Sequence, residues 1–144
     1  MKIRRLAFLI LPLLSIVVCA AAQREGAPPA DDKYLGLWSG SWEGGGGSGG
    51  FDLTLERDKD KNLTGSVSVT GEPTYKATLA SVAFDGAKMT AKYDFTPDPQ
   101  GEVLLTATFE GNSATGTWSL REKASGNEFA SGGWKVAKKD KQQE

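Results

Sequence analysis

The residues of this chain best equipped for chemistry are its four tryptophans, Trp38, Trp42, Trp118 and Trp134. Each offers a large flat apolar surface and one N–H donor, the equipment of a site that encloses a ligand. Catalytic groups are scarce by comparison. The sequence has no histidine and a single cysteine, Cys19, so the commonest general base is missing and a thiolate could arise at one position only. One cysteine cannot pair within its own chain, so an ordinary hydrophobic core must hold the fold.

The carboxylates and glycines do not assemble into a familiar site. Asp58 and Asp60 alternate with Lys59 and Lys61 ahead of Asn62, without the D-x-[DN]-x-[DN]-G run and closing Glu of a calcium loop. Glu43 and Asp94 are the pair that a glycosidase could use, but no spacing fixes their separation. The glycine tract Gly44–Gly47, Ser48, Gly49, Gly50 lacks the Lys-Ser/Thr and the following helix of a phosphate-binding loop. It reads as a mobile strand connection, whose functional version is a lid over a binding mouth. No catalytic residue, metal ligand or cofactor site is expected, and the chain is read as non-enzymatic. Asn62-Leu63-Thr64 is a glycosylation sequon if the source is eukaryotic.

The elements around these residues begin with an export signal. Lys2, Arg4 and Arg5 precede an apolar run from Leu6 to Val18, and Ala20-Ala21-Ala22 supplies the small-residue pattern of a signal-peptidase site. Residues 1–22 are therefore expected as a signal helix, and the mature protein as secreted or periplasmic. Lipidation at Cys19 is the alternative, disfavoured because Val18 stands where such signals carry a small residue. The run is about 13 residues, short of the ~20 that span a bilayer, and no later stretch matches it. Losing the signal takes the 17 basic residues to 14 against 18 acidic, a net charge of −4. That balance argues against nucleic acid as a partner.

Residues 23–33 are polar and carry Pro28-Pro29, which reads as a flexible tether, and residues 137–144 read as a charged tail. Between them, residues 34–136 show short alternating runs separated by turn signals, the mark of half-buried antiparallel strands. Tyr34, Gly36, Trp38, Gly40 and Trp42 share one face of the first run. Phe51-Leu53-Leu55 and Leu63-Gly65-Val67-Val69 form the next two inner faces, as a hairpin across Asp58–Asn62. Tyr75–Phe84 alternates with a phase change near Ala80-Ser81, which predicts a bulge or bend. Met89-Ala91-Tyr93-Phe95, Val103-Leu105-Ala107-Phe109 and Ala114-Gly116-Trp118-Leu120 follow, and Glu128–Val136 is the last run. The segment Leu63–Val69 is echoed by Ala114–Leu120, glycine for glycine.

Eight such strands joined by short turns predict an all-β, antiparallel up-and-down barrel, because closure removes the exposed edges. A β-sandwich is the alternative. Trp38 and Trp118 fall on inner faces and are expected to be structural, with Gly36. Trp42 beside the glycine tract, Trp134 after Gly132-Gly133, and Tyr93 and Phe95 are expected to line a wall or mouth.

Gly36-Leu37-Trp38, early in the first strand, resembles the G-x-W signature of the calycin barrels, the lipocalins and avidins. Leu63-Thr64-Gly65-Ser66 is similar to a strand of avidin-type barrels. The resemblance implies that Trp38 packs across a closed barrel end and that the open end takes a small, largely apolar molecule. The lipocalin cysteine pair is missing, and no avidin-type polar ligand set maps onto this chain. Three functions follow as expectations: a barrel that encloses an apolar or amphipathic ligand, a filled barrel serving as an interaction module of the cell envelope through its Thr/Ser-rich outer face, and, as the remote case, a carboxylate hydrolase.

Overall fold

The computed structural model describes residues 29–140; the expected signal segment, most of the expected tether and residues 141–144 lie outside them. A short 3-10 turn, Asp32–Tyr34, leads into nine strands: β1 Gly36–Gly44, β2 Gly47–Arg57, β3 Leu63–Val69, β4 Tyr75–Thr78, β5 Ser81–Asp85, β6 Lys88–Asp94, β7 Gly101–Glu110, β8 Ser113–Glu122 and β9 Glu128–Lys138. All pairings are antiparallel, in the order β4-β3-β2-β1-β9-β8-β7-β6-β5, and the sheet curls into a half-barrel. No helix among the described residues is long and apolar enough to cross a membrane.

The period-2 pattern carries the core. Phe51, Leu53 and Leu55 of β2, Met89, Ala91 and Tyr93 of β6, and Val103, Leu105, Ala107 and Phe109 of β7 are all buried, while the residues between them are not. Successive side chains leave a strand on opposite faces, so alternation in sequence becomes one apolar concave face and one polar convex face. Thr106 and Thr117, cross-strand neighbours on the convex face, join their hydroxyls at 2.8 Å.

Four expectations need correction. The strands number nine rather than eight, because Tyr75–Phe84 is two strands. The break falls at Leu79-Ala80, beside the phase change: Ala77 and Leu79 face inward before it, Val82 and Phe84 after it. Leu79 donates its N–H to Gly65 O at 2.8 Å, on β3, and Ala80 donates to Lys92 O at 2.7 Å, on β6. The two-residue junction thus bonds to strands from opposite ends of the sheet.

The glycine tract is not a long loop. Gly44 pairs with Gly47, leaving a two-residue turn at Gly45 (φ +61°) and Gly46 (φ +84°). Positive φ at both central positions is the twist-matched hairpin geometry that glycine permits. Gly47–Gly50 belong to β2, so no segment long enough for a lid is present there.

The tether ends earlier than expected, because residues 31–34 are held. Arg57 makes ion pairs with Asp31 and, at 2.8 Å, with Asp32. At the other terminus β9 continues to Lys138, taking Ala137 and Lys138 out of the tail: Ala137 pairs with Ser39 and Lys138 with Trp38.

Candidate functional site

The interior divides into a packed end and a hollow end. At the packed end Tyr34 stacks on Phe84 with centroids 4.4 Å apart, and Trp38 meets Phe109 edge-on at 4.8 Å. Trp38 is 1 % exposed, and its Nε1 donates to Tyr34 O at 2.8 Å. Lys138 lies over the Trp38 ring at 5.5 Å and donates to Lys33 O at 2.7 Å, tying the last strand to the 3-10 turn. Gly36 opens β1 at φ +121°, a conformation glycine adopts readily. These contacts seal one end of the half-barrel with aromatic rings.

Toward the other end the side chains stop short of filling the space. A cavity of about 630 Å³ opens between the Gly45-Gly46 turn and the Gly71-Glu72-Pro73 segment. That lies within the ~300–1,000 Å³ range of small-molecule sites. The four residues expected on a wall or mouth, Trp42, Tyr93, Phe95 and Trp134, all line this one cavity. Trp134 is a wall residue rather than a rim residue, being 3 % exposed and packed on Phe51 at 5.0 Å between ring centroids.

Trp118, expected to be purely structural, also lines the cavity and meets Trp42 edge-on at 5.9 Å. Tyr75, Phe51 and Val69 complete much of the wall and were not singled out from sequence. For Tyr75 a signal existed, since it begins an inward alternation directly after Gly71-Glu72-Pro73, the same level at which β6 ends.

Glycines stand opposite the large rings in the strand register. Trp42 lies opposite Gly49, Trp134 opposite Gly116 and Trp118 opposite Gly132 across their respective strand pairs. A Cβ on Gly116 would stand 1.8 Å from Thr106 O, so the adjoining backbone occupies space that any side chain would need. Gly65, its counterpart in the echoed segment, is in the same position, 2.2 Å from Thr54 O.

The polar groups on the lining are few and mostly committed. The three indoles donate to backbone carbonyls: Trp42 to Thr70 O at 2.9 Å, Trp118 to Glu43 O at 2.9 Å and Trp134 to Thr117 O at 3.0 Å. What remains inside is a pair of phenols. The Tyr75 and Tyr93 hydroxyls are 2.9 Å apart. They link β4 to β6, and Thr96 Oγ1 donates to Lys76 O at 3.2 Å across the same seam. Burial pushes both phenols above the ordinary tyrosine value, most strongly Tyr93, which is also raised by its neighbour Tyr75.

Glu72 and Ser48 are exposed at the mouth, and among the described residues neither Lys nor Arg lines the cavity. Glu43 reaches the site through its backbone carbonyl alone, and Asp94 is exposed and paired with Lys123 at 3.0 Å. Chemically the arrangement can bury an apolar body against aromatic rings and offer it a neutral hydrogen-bonding pair. No protein-family model and no curated protein matches this chain.

Proposed function

We propose that this chain is an exported, non-enzymatic binding protein that encloses one small, largely apolar molecule in a β-barrel. The observation that carries the reading is the 630 Å³ cavity walled by Trp42, Trp118, Trp134, Tyr75, Tyr93 and Phe95. Apolar space of that size, left unfilled by the chain's own side chains, forgoes the packing contacts that ordinarily stabilise a core. Folds keep such space at a cost in stability, and a ligand that fills it restores those contacts.

The finer architecture belongs to the same proposal. In it the Leu79-Ala80 junction, bonded to β3 and β6, draws the two ends of the nine-stranded half-barrel together into a closed cylinder. The sealed end at Trp38 supports the calycin-like resemblance of Gly36-Leu37-Trp38, and the signal-like segment 1–22 supports export. The reading as a filled envelope module is disfavoured by the hollow end. The hydrolase reading is disfavoured because Glu72 is the sole acid among the described residues on the cavity lining.

The test is titration with N-phenyl-1-naphthylamine, a neutral aromatic dye that brightens in apolar surroundings. Saturable dye emission with one site per chain, accompanied by quenching of tryptophan emission, is expected. Trp42→Ala should weaken that binding about tenfold or more, as truncation of an aromatic anchor at a binding site does. A dye signal that never saturates, or saturates equally in Trp42→Ala, would refute enclosure at this site.

A further inference from the structure

We infer that the Tyr75–Tyr93 hydroxyl pair is a neutral polar anchor that selects uncharged ligands bearing an oxygen acceptor, such as an alcohol, aldehyde or ketone on an apolar body, and rejects carboxylates of the same length. The inference rests on the ligand-enclosing reading above and deepens it. Geometry supplies the first support. Two hydroxyls 2.9 Å apart share one hydrogen between their oxygens, so the second O–H of the pair is available to a ligand oxygen.

Every other polar side chain on the lining is either committed or at the mouth. The indoles of Trp42, Trp118 and Trp134 donate to Thr70, Glu43 and Thr117 carbonyls, while Ser48 and Glu72 are exposed. A ligand oxygen carried into the interior therefore meets the phenol pair as the uncommitted side-chain donor among the described residues there. An apolar body without oxygen can occupy the cavity, but it leaves that O–H without a partner from the ligand.

Charge supplies the second support. A carboxylate taken out of water needs a cation or several donors to offset its desolvation. Among the described residues neither Lys nor Arg lines the cavity, and the one charged side chain on its lining, Glu72, is itself negative. The same surroundings disfavour an anion on the chain itself, because burial raises Tyr93 far above the ordinary phenol value and keeps it neutral. A ligand carboxylate at the phenol pair would meet the same penalty.

The experiment compares 1-decanol, decanoate, decane and decyltrimethylammonium at pH 8 as competitors of bound N-phenyl-1-naphthylamine, in the full mature chain. Decanol should compete best, about tenfold or more better than decanoate, and severalfold better than decane, the usual value of one additional neutral hydrogen bond. In Tyr75→Phe/Tyr93→Phe, which keeps both rings, the ratio of decanol to decane affinity should fall toward one. Melting temperature and dye binding of the variant report separately that it is folded with its cavity open. Decanoate competing as well as decanol overturns the inference, as does a variant that keeps the decanol preference. Decyltrimethylammonium outcompeting decanol overturns it too, moving recognition to Glu72. If the dye binds and none of the four displaces it, the selectivity inference falls while enclosure stands; if the dye itself finds no site, both fall.

Discussion

Tyr75 and Tyr93 are phenols whose burial gives folding a pH signature. A phenol whose value is raised on folding stays protonated after the unfolded chain has begun to lose its proton. The unfolded state then binds fewer protons than the folded one, so stability falls as pH rises past the ordinary tyrosine value of about 10. Below that pH both states are protonated and the contribution is fully present. Urea midpoints measured from pH 8.5 to 11 should decline in the wild-type chain, and less steeply in Tyr75→Phe/Tyr93→Phe. Parallel curves for the two proteins would mean that the phenols are not desolvated. Lysines titrate in the same window, and the difference between the two proteins removes their share.

At the scale of single elements, the hairpins show how glycine and tryptophan were distributed together. The pairs Trp42–Gly49, Trp134–Gly116 and Trp118–Gly132 set a large ring beside a missing side chain. Such pairings let a sheet coil tightly while keeping aromatic bulk on its concave face. Gly116→Val should therefore cost about 1–3 kcal/mol, the usual range for overpacking, read as a lower urea midpoint. A midpoint equal to wild type would mean that β7 and β8 are farther apart than the 1.8 Å approach implies. The glycine tract belongs to the same pattern: its repetition suggests slack, but the register Gly44↔Gly47 makes it a tight turn followed at once by β2. Repeated glycine in a sequence does not separate these cases, because both a loose loop and a positive-φ turn admit it.

For the whole molecule the decisive element is the Leu79-Ala80 junction. Two backbone hydrogen bonds, to Gly65 O and Lys92 O, are the backbone contacts by which the chain between β4 and β5 holds both ends of the sheet. If they close the cylinder, the Leu79 and Ala80 amides should exchange with solvent as slowly as those of β2 and β7. Exchange at the rate of the Asp58–Asn62 turn would show that the sheet stays open. Ala80→Pro removes one of these donors and should lower stability by about 1–3 kcal/mol, measurable as a reduced melting temperature together with faster exchange at Leu79. The ion pair of Lys92 with Glu102 at 3.8 Å joins an exposed lysine to a half-buried glutamate and contributes little by comparison.

Much of this architecture was legible in the sequence because it is written locally. Alternation marks which face of each strand is buried, and Asp-Gly, Glu-Gly and the proline-rich segments mark where strands stop; Phe51-Leu53-Leu55 and Val103-Leu105-Ala107-Phe109 are inward as their spacing requires. The phase change in Tyr75–Phe84 marked a bend, and Trp42, Tyr93, Phe95 and Trp134 could be picked as inward or strand-end aromatics. Other features depend on residues far apart in the chain. That Trp118 shares a wall with Trp42, that Tyr75 reaches Tyr93, and that Arg57 holds Asp31 and Asp32 follow from register and curl. Neither has a signature within one strand. Alternation says that a side chain points inward, but the volume left unfilled is a difference between all inward side chains and the radius of the curled sheet, and only the assembled tertiary structure sets it.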